Sequence, residues 1–305
     1  MAKIDDQIER AIRRIENATE RGVLRNYKRA LDEVRRQLSL VYERYAEAGQ
    51  LTNAQMSKYN RLKNLHSHII AETRPLFSEN GRNIERMAAV TYEETFYRYG
   101  WAISSDVGVD LRWGLLSDDV VKAAVENPIS GLSLHNITLE QRRRTLMGIN
   151  RAVTQGIVQG DSYPKMARRV KGFLDGDARR AVTVVRTEGQ RAYAAGQIAS
   201  YDRADELGID VRRIWDATLD QRTRAAHGDL DGTAAGRDGL FDTEVGRIPG
   251  PLHSGVGWFD INCRCRVRPE VVGYSPKVRR IRDQGIVKYQ TYKEWAKAHN
   301  VRAKR

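Results

Sequence analysis

Apolar residues in the first hundred positions recur at helical spacing. Leu24, Tyr27, Leu31, Val34, Leu38, Val41 and Tyr45 advance in alternating steps of three and four, which gathers one apolar seam on one side of an α-helix. Gly49 interrupts the seam. Thr52-Asn53-Ala54-Gln55 then has the form of a capping box, opening a helix with Met56, Tyr59, Leu62, Leu65 and Ile69 on one side. A further helical stretch is predicted after Pro75, through Ile84, Met87 and Thr91 to the aromatic cluster Tyr92, Phe96, Tyr97 and Tyr99. Such a seam serves an intramolecular bundle or docks on a partner, and the spacing is the same for both.

Turn formers collect at Asn127-Pro128-Ile129-Ser130-Gly131, where a domain boundary is placed. Thr138-Leu139-Glu140-Gln141 is a second capping box, predicting a helix with Leu146, Ile149, Val153 and Ile157 on one face that ends at Gly160-Asp161. A short helix through Met166 and Val170 and a long one over 178–206 follow. Beyond Gly208 the period shortens to two. Residues 211–215 read as a strand, and over 261–267 the residues Ile261, Cys263, Cys265 and Val267 alternate with Asn262, Arg264 and Arg266. The fold class is α+β: a mainly helical domain over 1–131, an α+β domain with long helices and a small sheet over 132–272, and a tail over 273–305.

No stretch approaches the roughly 18 consecutive apolar residues of a membrane span, the N-terminus lacks a secretory pattern, and no membrane partner is predicted. Two cysteines two residues apart are not a disulfide framework, so a reduced cytoplasmic setting is expected during assembly. The formal charge is +13, of which residues 273–305 carry +8. The excess therefore marks the tail, where Lys277, Arg279, Arg280, Arg282, Lys288 and Lys293 stand among Tyr289, Tyr292 and Trp295. Cations for phosphates and rings for stacking suit sequence-tolerant contact with nucleic acid; an amphipathic helix packed on the main domain uses the same residues.

Three elements stand in order in the second half. They are Arg186-Thr187-Glu188 within a helix, then Trp215-Asp216-Ala217-Thr218-Leu219-Asp220-Gln221-Arg222-Thr223-Arg224-Ala225-Ala226-His227 closed by Leu230-Asp231-Gly232, and finally Asn262-Cys263-Arg264-Cys265. In this order and spacing they resemble the Mu F-like phage head morphogenesis domain, over roughly residues 135–270. The resemblance implies a minor capsid protein that associates with the portal inside the head during assembly and DNA packaging or delivery. Its implied partners are the portal protein, scaffold or major capsid protein, and packaged double-stranded DNA; its implied place is the virion head. It implies assembly rather than catalysis. The competing readings are a cytoplasmic nucleic-acid-binding protein with no capsid role and a metal-dependent hydrolytic enzyme.

The residues themselves suggest a polar network of Arg186, Glu188, Trp215, Asp220, Thr223, Arg224, His227 and Asp231 that braces helix against sheet. Asp220 is expected to cap a helix beginning at Gln221, with Thr223 and His227 on one face, and either Arg186 or Glu188 to meet that corner. Cys263 and Cys265 point the same way on a strand. They would hold a structural zinc with His227 and either His253 or Asp220, or simply pack as small apolar groups. No phosphate loop, nucleophile elbow or metalloprotease pair is present, and no other cofactor is expected.

Overall fold

The computed structural model describes residues 2–107, 113–126, 133–271, 278–281 and 285–288, with Glu294 and Lys297. The described chain is mostly helical, with small antiparallel sheets in its C-terminal part, an α+β protein. Among the described residues no helix is long and apolar enough to cross a membrane.

Helix α1 spans Ala2–Tyr45. Its buried stripe runs through Val23, Tyr27, Leu31, Val34, Leu38 and Tyr42, whereas Leu24 is exposed. An undistorted helix drifts against a seven-residue repeat, which moves the stripe one place at that end. The first capping box forms: the Thr52 hydroxyl accepts from Gln55 N–H at 3.2 Å, and the Gln55 side chain accepts from Thr52 N–H at 2.8 Å. The helix it opens, α2 (Asn53–Ser57), is short. A 3-10 turn over Lys58–Asn60, with φ of 53° at Tyr59 and 55° at Asn60, leads into α3 (Arg61–Val107). That kink breaks the predicted face. Met56, Leu65 and Ile69 are buried, and Tyr59 is 84% exposed.

Pro75 lies inside α3 rather than before a new helix. The ring deprives Ala71 of its hydrogen bond, but both residues are on the exposed side, where water reaches the carbonyl. Helix α4 is Asp118–Glu126 and α5 is Leu134–Val158. Thr138 is therefore not a cap; its hydroxyl donates to the Leu134 carbonyl within the helix, at 2.9 Å. α5 ends where predicted. Gly160 takes φ 63°, Asp161 N–H reaches the Gly156 carbonyl and Gly160 N–H that of Ile157, a Schellman closure. The two helices predicted next are one, α6 (Tyr163–Glu206). Gly208 ends it with the same closure and turns the chain into β1 (Val211–Asp216).

The remaining elements are α7 (Ala225–Leu230), the hairpin β2 (Phe241–Thr243) and β3 (Gly246–Ile248), α8 (Gly257–Asp260) and β4 (Arg266–Val271). A last hairpin, β5 (Val278–Ile281) with β6 (Gly285–Lys288), carries Arg279, Arg280 and Lys288 of the basic tail. Lys277, Arg282, Tyr289, Tyr292, Lys293 and Trp295 fall outside the described residues, as does the boundary placed at residues 127–131.

The chain divides into two compact units, each built from separated stretches. Unit 1 comprises Met1–Glu16, Arg86–Ser133 and Arg186–Arg305; unit 2 comprises Asn17–Glu85 and Leu134–Val185. In unit 2, helix packing encloses a polar knot. Asp177, fully buried, accepts from the Tyr27 hydroxyl at 3.0 Å and from the Thr145 hydroxyl, with Arg180 at 3.8 Å. Burial, with Asp177 alongside, pushes the Tyr27 hydroxyl far above the usual phenol range. In unit 1, β1 pairs antiparallel with β4, Trp215 opposite Val267. The core around them includes Ile8, Ile12, Tyr99, Tyr193, Tyr201, Phe241 and Phe259. Gly196 lets α6 pass close to α3 there, since a Cβ would stand 2.6 Å from the Tyr92 carbonyl oxygen.

Candidate functional site

Strand β1 delivers Trp215, fully buried, to the centre of the unit 1 core. Its ring meets His227, Phe241 and Phe259 edge-on, with centroids 5.8, 5.3 and 6.4 Å away. The backbone leaving Trp215 is held by Asp231, whose carboxylate accepts from Ala217 N–H at 2.7 Å. The loop then folds on itself. The Thr223 hydroxyl donates to the Thr218 carbonyl, and the Thr218 hydroxyl donates to the Arg264 carbonyl at 2.9 Å, tying the loop to the segment before β4.

Asp220 accepts from Arg222 N–H at 2.8 Å, as anticipated, but in a turn and not a helix cap; α7 begins four residues after Gln221, at Ala225. Thr223 therefore lies outside the helix that carries His227. The Asp220 carboxylate takes a two-pronged hold from Arg264, whose Nη2 is 2.7 Å from Oδ1. Burial would raise its pKa, but the hydrogen bonds from Arg264 and Arg222 prevail and pull it down to about 2. Arg224 donates to the carbonyls of Ile261 at 2.6 Å and Phe259 at 3.4 Å, anchoring α8.

Glu188 does not reach this corner. Its partner is Arg191, at 2.9 Å, and both side chains are buried. Arg191 also donates to the Ala124 and Val125 carbonyls at 2.7 and 2.6 Å, binding the C-terminal end of α4. Burial pushes the Glu188 carboxyl up, with Arg191 opposing. Arg186 is exposed. The predicted single network is thus two: the Glu188 pair on α6, and the corner made by Trp215, Asp220, Thr223, Arg224, His227 and Asp231. The three-residue spacing of Glu188 and Arg191 lets them meet on one helix face, and Arg191 spends its remaining donors on α4.

The strand reading of residues 261–267 holds in part. The ladder starts at Arg266, while Ile261 is exposed and Asn262 turns through φ 61°. From Cys263 onward burial alternates, so Cys263, Cys265 and Val267 face in and Arg264 faces Asp220. The His227 Nδ1 lies 3.3 Å from Cys265 Sγ and 3.4 Å from Cys263 Sγ. All three residues are buried, and the three ligand atoms lie within 4.8 Å of one another. A hydrogen bond from Cys265 holds the Cys263 thiol below its usual range, and the same bond with burial drives Cys265 well above it. His253 is elsewhere: its Nδ1 is 2.8 Å from the Pro251 carbonyl, and burial lowers its pKa.

Sequence reasoning missed Arg191, Arg264 and Asp260 as members of these clusters. Asp260, fully buried, accepts from Gly255 N–H at 2.9 Å and so closes the loop before α8. Arg264 was legible in principle, because a residue between two inward cysteines must face the other way.

The profile of the family described as "Phage Mu protein F like protein" matches residues 147–268. The chain is 30% identical over 303 residues to "Minor head protein GP7" of Bacillus phage SPP1, covering 96% of each. It is 26% identical over 278 residues to "NAD(+)--arginine ADP-ribosyltransferase EFV" of Enterococcus faecalis, covering 91% of this chain but 56% of that protein. It is also 28% identical over 203 residues to an uncharacterized protein of Haemophilus influenzae, covering 64% of this chain and 40% of that one. No solved structure matches.

Proposed function

The chain belongs to the Mu F-like family of phage head morphogenesis proteins, and from that premise we propose that it acts as a minor capsid protein docked on the portal inside the assembling head. One observation carries the reading: similarity to a protein named for the head extends over 96% of both chains, so it covers the helical N-terminal half as well as the block from Arg186 to Cys265. The helical half, residues 1–131, supplies the portal contact, and scaffold or major capsid protein are its neighbours in the head. The basic tail touches packaged double-stranded DNA, with Arg279, Arg280 and Lys288 brought onto one hairpin.

The role is assembly and not turnover. The relative named for the head is covered over 96% of its length, whereas the chain spans about half, 56%, of the relative named as a transferase, which favours the head role.

The test is co-expression of the full chain with portal protein and purification of portal rings. Co-purification is expected, and the chain should then sediment with heads. A chain that stays free of portal and heads under assembly conditions would point instead to a cytoplasmic nucleic-acid-binding protein. Removing residues 277–305 should weaken DNA retention and flatten its dependence on salt.

A further inference from the structure

His227, Cys263 and Cys265 come from three places, helix α7 and two positions before β4, and bring their ligand atoms within 4.8 Å of one another. Zinc binds imidazole nitrogen at about 2.0–2.1 Å and thiolate sulfur at about 2.3 Å, which in a tetrahedron separates nitrogen from sulfur by roughly 3.6 Å. The observed separations from Nδ1 are 3.3 and 3.4 Å. Both nitrogen–sulfur edges are therefore close to, and slightly shorter than, those of a metal tetrahedron.

Hydrogen bonding alone accounts poorly for this spacing. Nδ1 offers either one lone pair or one N–H, according to the tautomer, and two sulfurs crowd it at nearly equal distance. A cation at the centre would satisfy all three groups at once. Soft sulfur with imidazole selects zinc over magnesium or calcium.

The fourth position has no ligand from the chain among the described residues. The two side chains best placed in sequence are engaged elsewhere, His253 with the Pro251 carbonyl and Asp220 with Arg264. All three triad members line a small cleft whose walls include Thr218, Arg222, Thr223, Arg224 and Asn262. We infer that His227 Nδ1, Cys263 Sγ and Cys265 Sγ bind one zinc ion whose fourth ligand, water or a small anion, enters through this cleft. Both thiols release their protons to solvent on binding, so the two thiolates balance the dication. The ion would clamp α7 to the start of β4. The inference stands apart from the portal reading and does not depend on it.

The full chain, purified under reducing conditions from zinc-supplemented cells, should retain about one equivalent of zinc by elemental analysis. Cobalt(II) in its place should give a thiolate-to-metal charge-transfer band and the intense visible bands of a four-coordinate site, and added azide should shift the visible bands. Cys263→Ser and Cys265→Ser should each lower metal affinity by about tenfold or more, while His253→Asn should keep the full metal content. Should the cysteine variants not fold, the wild-type cobalt spectrum still decides. Folded wild-type chain with less than about a tenth of an equivalent of zinc and no charge-transfer band overturns the site. Loss of metal in His253→Asn, or cobalt bands indifferent to azide, overturns the open fourth position.

Discussion

Each unit buries a polar cluster, and the two are made in opposite ways. In unit 2, the knot at Asp177 draws Tyr27 from 150 residues away and Thr145 from 32, all from the middles of helices. In unit 1, the corner draws on Thr218, Asp220, Arg264 and Cys265, with the bond from Thr218 to Arg264 spanning 46 residues, mostly from loops and turns. Long helices expose only their periodic apolar face to sequence inspection, so a polar group that joins two of them leaves no local trace. A loop must satisfy its own backbone, and the residues that do so stand close together in the chain.

That contrast is open to test. Trp215→Ala should have the largest effect, removing the fully buried centre of unit 1 at a cost of about 3–5 kcal/mol in denaturant unfolding. A loss below about 1 kcal/mol would falsify the view that the corner hangs on this ring. Asp177→Ala should come next, at about 1–3 kcal/mol, because it strands the buried Tyr27 hydroxyl, while Thr145 keeps the Gln141 carbonyl at 2.9 Å. Coupling of that change with Tyr27→Phe in a double-mutant cycle measures the knot directly; additive effects would dissolve it into separate contacts.

Asp220→Asn probes the unit 1 corner by its acid response. The folded pKa near 2 lies below the ordinary value of 3.8, so the carboxylate stabilises the fold above pH 4, and that contribution disappears as pH falls from about 4 through about 2. Acid titration of Asp220→Asn should flatten this limb. Glu188 has the opposite sign. Its pKa is raised from 4.5, so its contribution is present below that pH and is lost as pH rises through the folded value; Glu188→Gln should remove that trend in urea midpoints taken across pH. The smallest effect belongs to Thr52→Ala, about 1 kcal/mol from the lost capping box, read as a shift in midpoint with unchanged slope.

The legible parts of the chain follow the same division. Helices announced themselves by spacing, and the Schellman ends at Gly160 and Gly208 by their glycines. The exact stripe was less secure, as Val23 in place of Leu24 shows, because a one-residue drift changes no composition. Pro75 misled, since its cost depends on whether the orphaned carbonyl faces water, a property of the fold. At the corner, the meeting of His227 with both cysteines was readable from their types and alternation. The turn at Asn262 that starts the ladder only at Arg266 was not, and neither was the choice of Arg264 as partner to Asp220.

The Glu9 carboxylate accepts from Arg13 on its own helix at 2.6 Å, and it also accepts from Arg266 at 2.9 Å, across 257 positions of sequence. During synthesis at about 5–20 residues per second, roughly 10–50 s separate the appearance of Glu9 and Arg266. All of unit 2 has been made by residue 185. The opening stretch of α1, with Ile8 and Ile12 destined for the other core, is therefore made well before β1 and β4, so unit 1 can close its core only after the chain that forms unit 2 is complete.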